Sequence, residues 1–347
     1  MLIFILFQLT QLNLSFHRGF DTNLMLDTSY LHDYYNELDL TFGHYPIEKP
    51  WGYELALGGS FFDNYTSMNF LTFRGNLSYF KDFGEAGNYM ESGVDFTWDV
   101  ISPYKSLTIT PGVASKIYLG EKKMFNIIPS WDLNLLLADE SYNFDNIPKL
   151  RLNGNFFGIS AALTGMLKWR YVAAYVVSST GIRYLPHSAR YTWVTKSLSA
   201  GNAGIRLGKR FGGLLGIFYE FGYHFLPTSN LVSVDNLKQR LDPLNEDEFA
   251  YSGISHTFNV SLIVSKVAID YTFALSSKDY SIVDTSQSPV SRHDNVLVHS
   301  ITGSISLFKK RFEVGLSGFF RYESNTSTMQ GFSYTRKEGG AGLYMGL

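Results

Sequence analysis

Cysteine is absent from the 347 residues, and charged residues make up only 17%. The missing thiols exclude disulfide scaffolds, cysteine-based zinc sites and thiol catalysis. Globular domains average about 25% charge, and disordered chains need more charge with few aromatics. At 16% aromatic, this chain is not of the disordered kind. The 29 basic and 31 acidic residues nearly cancel, which removes the electrostatic ground for a nucleic-acid partner. No apolar run approaches the roughly 20 residues a membrane helix needs. Helical periodicity is scarce throughout.

Residues 1–7 form an apolar block, the size of a secretory h-region of about 7–15 residues. No positive n-region precedes it. This reads as the remnant of a signal peptide, residues 1–16, cleaved between residues 14 and 17. Residues 17–347 then form one domain.

Period-two alternation is what the chain has in quantity. Trp51, Tyr53, Leu55 and Leu57 alternate with Gly52, Glu54, Ala56 and Gly58. Leu71, Phe73, Leu77 and Tyr79 stand opposite Thr72, Arg74, Asn76 and Ser78. Ile217, Tyr219, Phe221 and Tyr223 flank Glu220, Gly222 and His224, and the same rhythm recurs in residues 266–275 and 311–322. These runs last about 10–12 residues, whereas soluble strands cluster near 5–6. A tilted strand needs about 9–11 residues to cross a bilayer. Trp51, Phe61, Trp169, Phe225 and Tyr322 sit near run ends, where membrane interfaces favour aromatic rings.

Short connections at 208–213, 265–266 and 308–310 alternate with long ones at 227–253, 276–295 and 324–337. Outer-membrane barrels pair short periplasmic turns with longer external loops. Strands are expected near 21–31, 37–43, 51–62, 68–80, 91–100, 105–119, 124–138, 155–165, 167–179, 197–208, 213–226, 254–264, 267–276, 295–308, 311–323 and 339–347. That is an all-β, antiparallel, up-and-down transmembrane β-barrel of about 16 strands, an even number as this class requires, with 14 as the alternative. Prolines 103, 111 and 129 mark the uncertain stretches, because proline removes a ladder donor.

In this rhythm and size the chain resembles the Gram-negative outer-membrane β-barrels, porin-like in build. The apolar alternates Ala341, Leu343, Met345 and Leu347 are similar to the C-terminal assembly signal of that class. That signal usually ends in an aromatic residue, and Leu347 departs from it. The resemblance implies the bacterial outer membrane, with its lipids, lipopolysaccharide and the barrel-assembly machinery as partners.

No catalytic or metal motif accompanies this pattern. The eight histidines show no H-E-x-x-H, Gly208 with Lys209 lacks the phosphate-loop spacing, and no cofactor is called for. His187 with Ser188, His256 with Thr257 and His299 with Ser300 supply hydrolase residue types without a recognised spacing. With the apolar alternates facing lipid, the lumen receives Glu54, Arg74, Arg206, Glu220, His224, Asp270, Glu313 and Arg321. Both signs suit a wet pore passing small solutes by passive or facilitated diffusion. They equally suit ion pairs bracing a narrow barrel across its interior. A lipid-modifying hydrolase on the barrel wall and a structural or secretion-partner barrel are the alternatives. The acidic loop 235–248 could bridge divalent ions or lipopolysaccharide. The basic turns at Lys122 and Lys123, Lys209 and Arg210, and Lys309 to Arg311 could meet anionic headgroups.

Overall fold

Successive side chains of a strand point to opposite faces, so a long alternating strand needs lipid or core on one side and water on the other. A closed ring of such strands satisfies every backbone group without an edge, which a bilayer demands. The computed structural model shows that solution. It describes residues 11–24, 31–44, 50–83, 87–101, 106–119, 125–138, 141–177, 191–226, 251–280, 292–309, 312–328 and 332–346. Sixteen strands follow in chain order: β1 (Gln11–Asp21), β2 (Asp33–His44), β3 (Trp51–Phe62), β4 (Phe70–Phe83), β5 (Asn88–Ile101), β6 (Ser106–Leu119), β7 (Phe125–Ala138) and β8 (Ser141–Phe156) complete the first half. The second half is β9 (Ile159–Val177), β10 (Tyr191–Phe211), β11 (Leu215–Phe225), β12 (Tyr251–Val264), β13 (Val267–Tyr280), β14 (Arg292–Lys309), β15 (Glu313–Ser327) and β16 (Tyr334–Gly346). Each strand pairs antiparallel with its sequence neighbours, and β1 closes on β16 from Asn13 opposite Gly346 to Asp21 opposite Glu338.

The register separates the two faces. Large exposed apolar residues such as Leu38, Leu77, Leu163, Ile217, Phe258 and Ile301 lie outward. Their immediate neighbours, such as Glu37, Ser78, Thr164, Gly216, Thr257 and Ser300, face the interior. Outward rings meet across strands, Trp51 with Tyr79 and Tyr219 with Phe258, each at 4.8 Å between centroids.

One end of the barrel carries tight turns. Phe157 and Gly158, with φ of 53° and 76°, join β8 to β9, a two-residue hairpin of the positive-φ type whose twist matches the strands. Gly212 and Gly213, at 55° and 74°, do the same work between β10 and β11. The first residue of β1, Gln11, and the last of β16, Gly346, also lie at this end. Prolines inside strands coincide with gaps in a ladder. Pro111 stands where the β6–β7 pairing breaks between Ile109 and Gly112, and Pro129 has no β6 partner. Pro148 has no partner on β9. A missing N–H is harmless where no ladder bond is asked of it.

Several strand boundaries differ from the sequence reading, with β2, β10, β13 and β16 each longer than expected by about four residues or more. Residues 11–16, assigned above to a leader, form half of β1, whose Leu12, Leu14 and Phe16 alternate with Asn13, Ser15 and His17. The strand expected at 21–31 is not there at its start, since β1 ends at Asp21 and the chain bends through residues 22–24. The strands expected at 155–165 and 167–179 are mostly one, β9, and Ser141–Phe156 is a strand that went unread. Residues 1–10, 227–250, the turn at Lys122 and Lys123, and His187 with Ser188 lie outside the described residues.

Candidate functional site

The inward face is polar on every strand, and its charges are sorted. On β1–β5 it carries Asp21, Asp33, Glu37, Asp39, Glu54, Asp95 and Asp99, with Arg74 among them. On β8–β10 it carries Lys149, Arg151, Lys168, Arg170, Arg206 and Arg210, with Asp145 among them. The centres of the two groups, β3 and β9, stand six strands apart in a ring of sixteen. An acidic wall therefore faces a basic one.

Among the described residues, the inward pairs link strands that are neighbours or the same strand. Lys149 on β8 meets Asp132 on β7. Arg170 on β9 reaches Asp145 on β8 at 2.7 Å, and Lys168 approaches the same carboxylate at 3.5 Å. Arg292 pairs with Asp294 and Arg321 with Glu323 within their own strands. Arg336 on β16 holds Asp21 on β1 at 2.6 Å and Glu338 at 3.1 Å. These pairs brace the wall laterally.

All eight residues singled out from sequence occupy inward register positions. Arg206 and Glu220 are direct partners across β10 and β11, two positions from Asn202 and His224. Arg206 lies 5.0 Å over the Phe218 ring, and His224 Nδ1 meets Asn202 Oδ1. These three residues share one stretch of wall. The others are dispersed. Glu54 and Arg74 stand on the acidic wall at β3 and β4, and Asp270 accepts from Ser261 on β12. Glu313 sits near the tight-turn end, 3.3 Å from Lys309 and accepting from Tyr344 at 3.2 Å. Arg321 donates to Glu323 at 2.6 Å.

Sequence inspection missed Lys149 and Arg151 of the basic wall because it missed β8. The signal was present, since Lys149, Arg151 and Asn153 alternate with Leu150 and Leu152. A cavity of about 780 Å³ opens along this wall and is lined from β6 to β13, with Lys149, Arg151, Glu220, His224 and Lys278 around it.

The hydrolase residues fare less well. His256 and His299 face outward, each held by a tyrosine hydroxyl, Tyr219 and Tyr271, at 2.8 Å. Thr257 and Ser300 face inward, so neither neighbour can be activated. Two serines lie within reach of a histidine among the described residues: Ser277 on β13 is 3.4 Å from His293 Nε2 on β14, whose Nδ1 meets Asp279 Oδ1 at 2.7 Å, and Ser317 on β15 is 2.7 Å from His17 Nε2 on β1, across Gly342 on β16. The His17 Nδ1 is buried without a hydrogen-bond partner, so the third group that would orient that base is not in place. Among the described residues no group of three or more His, Cys, Asp or Glu could hold a metal ion.

No protein-family model matches the chain, and no curated protein sequence matches it. Solved structures do. The copper transporter OprC superposes with a TM-score of 0.50 at 10% identity, over 92% of this chain and 62% of its own. A bacterial polysaccharide outer membrane secretin gives 0.47 at 9% identity, over 96% and 97% of the two chains. The anion-selective porin from Comamonas acidovorans gives 0.44 at 9% identity, over 98% and 99%. At these identities the likeness speaks for the fold, and the chain is accordingly a sixteen-stranded barrel of the bacterial outer-membrane type.

Proposed function

We propose that the barrel is a porin-like channel through which small solutes diffuse across the outer membrane, its longer connections facing out. One observation carries this reading: the opposed acidic and basic walls, with no described ion pair between them. A barrel braced by its interior charges would join those walls, whereas a water-filled lumen keeps them apart. Sixteen strands also give a circumference at which an aqueous channel is the usual outcome.

Stepwise conductance in planar bilayers tests the reading. Arg74→Glu changes the lumen by two charge units. At about 10 Å in water this favours a monovalent cation by about 0.8 kcal/mol and disfavours an anion by as much, so the cation-to-anion permeability ratio should rise roughly fifteenfold at low salt. Arg321→Glu should shift it in the same direction. A silent bilayer would sink the channel. Silence with fatty-acid release that disappears in Ser277→Ala or Ser317→Ala would move the function to a lipid hydrolase. Silence in both assays would leave a structural or secretion-partner barrel.

A further inference from the structure

The cavity on the basic wall has a composition that the rest of the lumen lacks. Three consecutive inward rows build it, and the ladder partners set their order. The middle row runs Arg151, Thr164, Gly204, Gly222, Ser255 and Ser276 from β8 to β13. The row on one side runs from Lys149 through Asn202 and His224 to Lys278. The row on the other holds Arg206 and Glu220. Two glycines directly opposite each other thus stand at the centre of a ring of cations and hydroxyls.

The glycines matter by the space they leave. A Cβ on Gly222 would come within 2.6 Å of Ser255 Oγ, and one on Gly204 within 2.8 Å of Thr164 Oγ1. Side chains there would fill the recess and push both hydroxyls aside. Arg151 is exposed, lines the recess and donates Nε to Asn153 Oδ1 at 3.0 Å, which restrains the guanidinium plane. An arginine held in this way presents a two-pronged donor that matches an oxyanion. Lys149 and Lys278 stand at the ends of the adjoining row. At about 780 Å³ the space lies within the usual ligand-pocket range of about 300–1,000 Å³.

We propose that this recess is a solute-binding subsite for small hydroxylated anions of sugar size, the oxyanion on Arg151 and the hydroxyl groups on Thr164, Ser255 and Ser276. The inference rests on the channel reading and names its solute class. Glu220 at the lower edge adds discrimination, because it repels a second negative charge placed beyond the first. Monoanions should therefore be held in preference to longer polyanions.

Current block in single channels tests the subsite with glucuronate, glucose 6-phosphate and uncharged glucose as probes. Glucuronate should interrupt the current at concentrations where glucose leaves it unchanged. Block by glucuronate identifies a carboxylate solute, and block by glucose 6-phosphate alone identifies a phosphate one; either supports the site. Arg151→Gln should weaken the block about tenfold or more, the usual loss when a charged hydrogen-bond partner is removed. Gly222→Val should weaken it as well without altering any charge, and heat-modifiable gel mobility checks that both variants are folded. Open channels with no difference between glucuronate and glucose would overturn the subsite and leave the channel standing. Block that survives both substitutions would overturn it too. The absence of any conductance would instead remove the channel reading itself.

Discussion

Replacing Arg336 with methionine is expected to destabilise the folded barrel by about 3–5 kcal/mol, the usual cost of removing one partner from a buried ion pair. Arg336 is 12% exposed, and its partners Asp21 and Glu338 are 3% and 20% exposed. It donates Nε and Nη2 to Asp21 at 2.8 and 2.6 Å, across the seam where β16 meets β1. Asp21 also accepts from the Asn23 backbone at 2.9 Å, and Glu338 accepts from Tyr35 at 3.0 Å. Without the guanidinium, two carboxylates face one another at the closing seam with too few donors. Urea unfolding, followed by heat-modifiable mobility in detergent, reads the change. A loss under about 1 kcal/mol would mean that water enters the seam and solvates both acids, against the burial described above. Asp21→Asn should cost less, because the amide keeps an acceptor oxygen for Arg336 and removes one of the competing charges.

The seam also shows why some of this molecule could be read from sequence and some could not. Period-two alternation marks a strand by itself, so β3, β6, β7 and β11 were placed within about two residues. The total of sixteen was reached through errors that cancelled. A turn after Asp21 was taken for a strand while half of β1 was taken for a leader, because Leu12, Leu14 and Phe16 continue an apolar run. Strand β9 was divided near Gly165, where an outward position holds no side chain, and β8 was lost altogether. The β8 segment is rich in asparagine and contains Pro148, which is loop chemistry by local rules. Its aspartate and three of its four asparagines face the lumen, Asn146 accepts from the outward Trp131 indole, and its proline sits at a ladder gap. The inward side of the eight charged positions was legible from alternation. Their grouping was not, because it depends on register between strands far apart in the chain. Gly204 reaches Gly222 only through the β10–β11 ladder, and Ser317 reaches His17 only because the barrel closes.

Adjacent residues on β12 offer the sharpest test of the two faces. Val260 lies outward, between Ile217 on β11 and Tyr271 on β13, within the apolar band. Ser261 is the next residue, faces the lumen and donates to Asp270 on β13. Lysine at Val260 must carry its ammonium into lipid or bend its stem towards an interface. A lipid-facing Lys near the midplane of such barrels costs about 2–4 kcal/mol. Lysine at Ser261 instead points into water and finds the Asp270 carboxylate directly opposite. Exposed ion pairs of that kind contribute about 0–1 kcal/mol, so its effect should be small and of either sign. The two variants have the same net charge and lie one residue apart in the chain, so composition and overall electrostatics are matched. Unfolding both in lipid vesicles should give a Val260→Lys barrel less stable than Ser261→Lys by at least about 1.5 kcal/mol. Equal losses would show that the strand is wetted on both faces, as in a soluble sheet. A reversed order would turn the barrel inside out, with the acidic and basic walls against lipid, where their uncompensated charge could not remain.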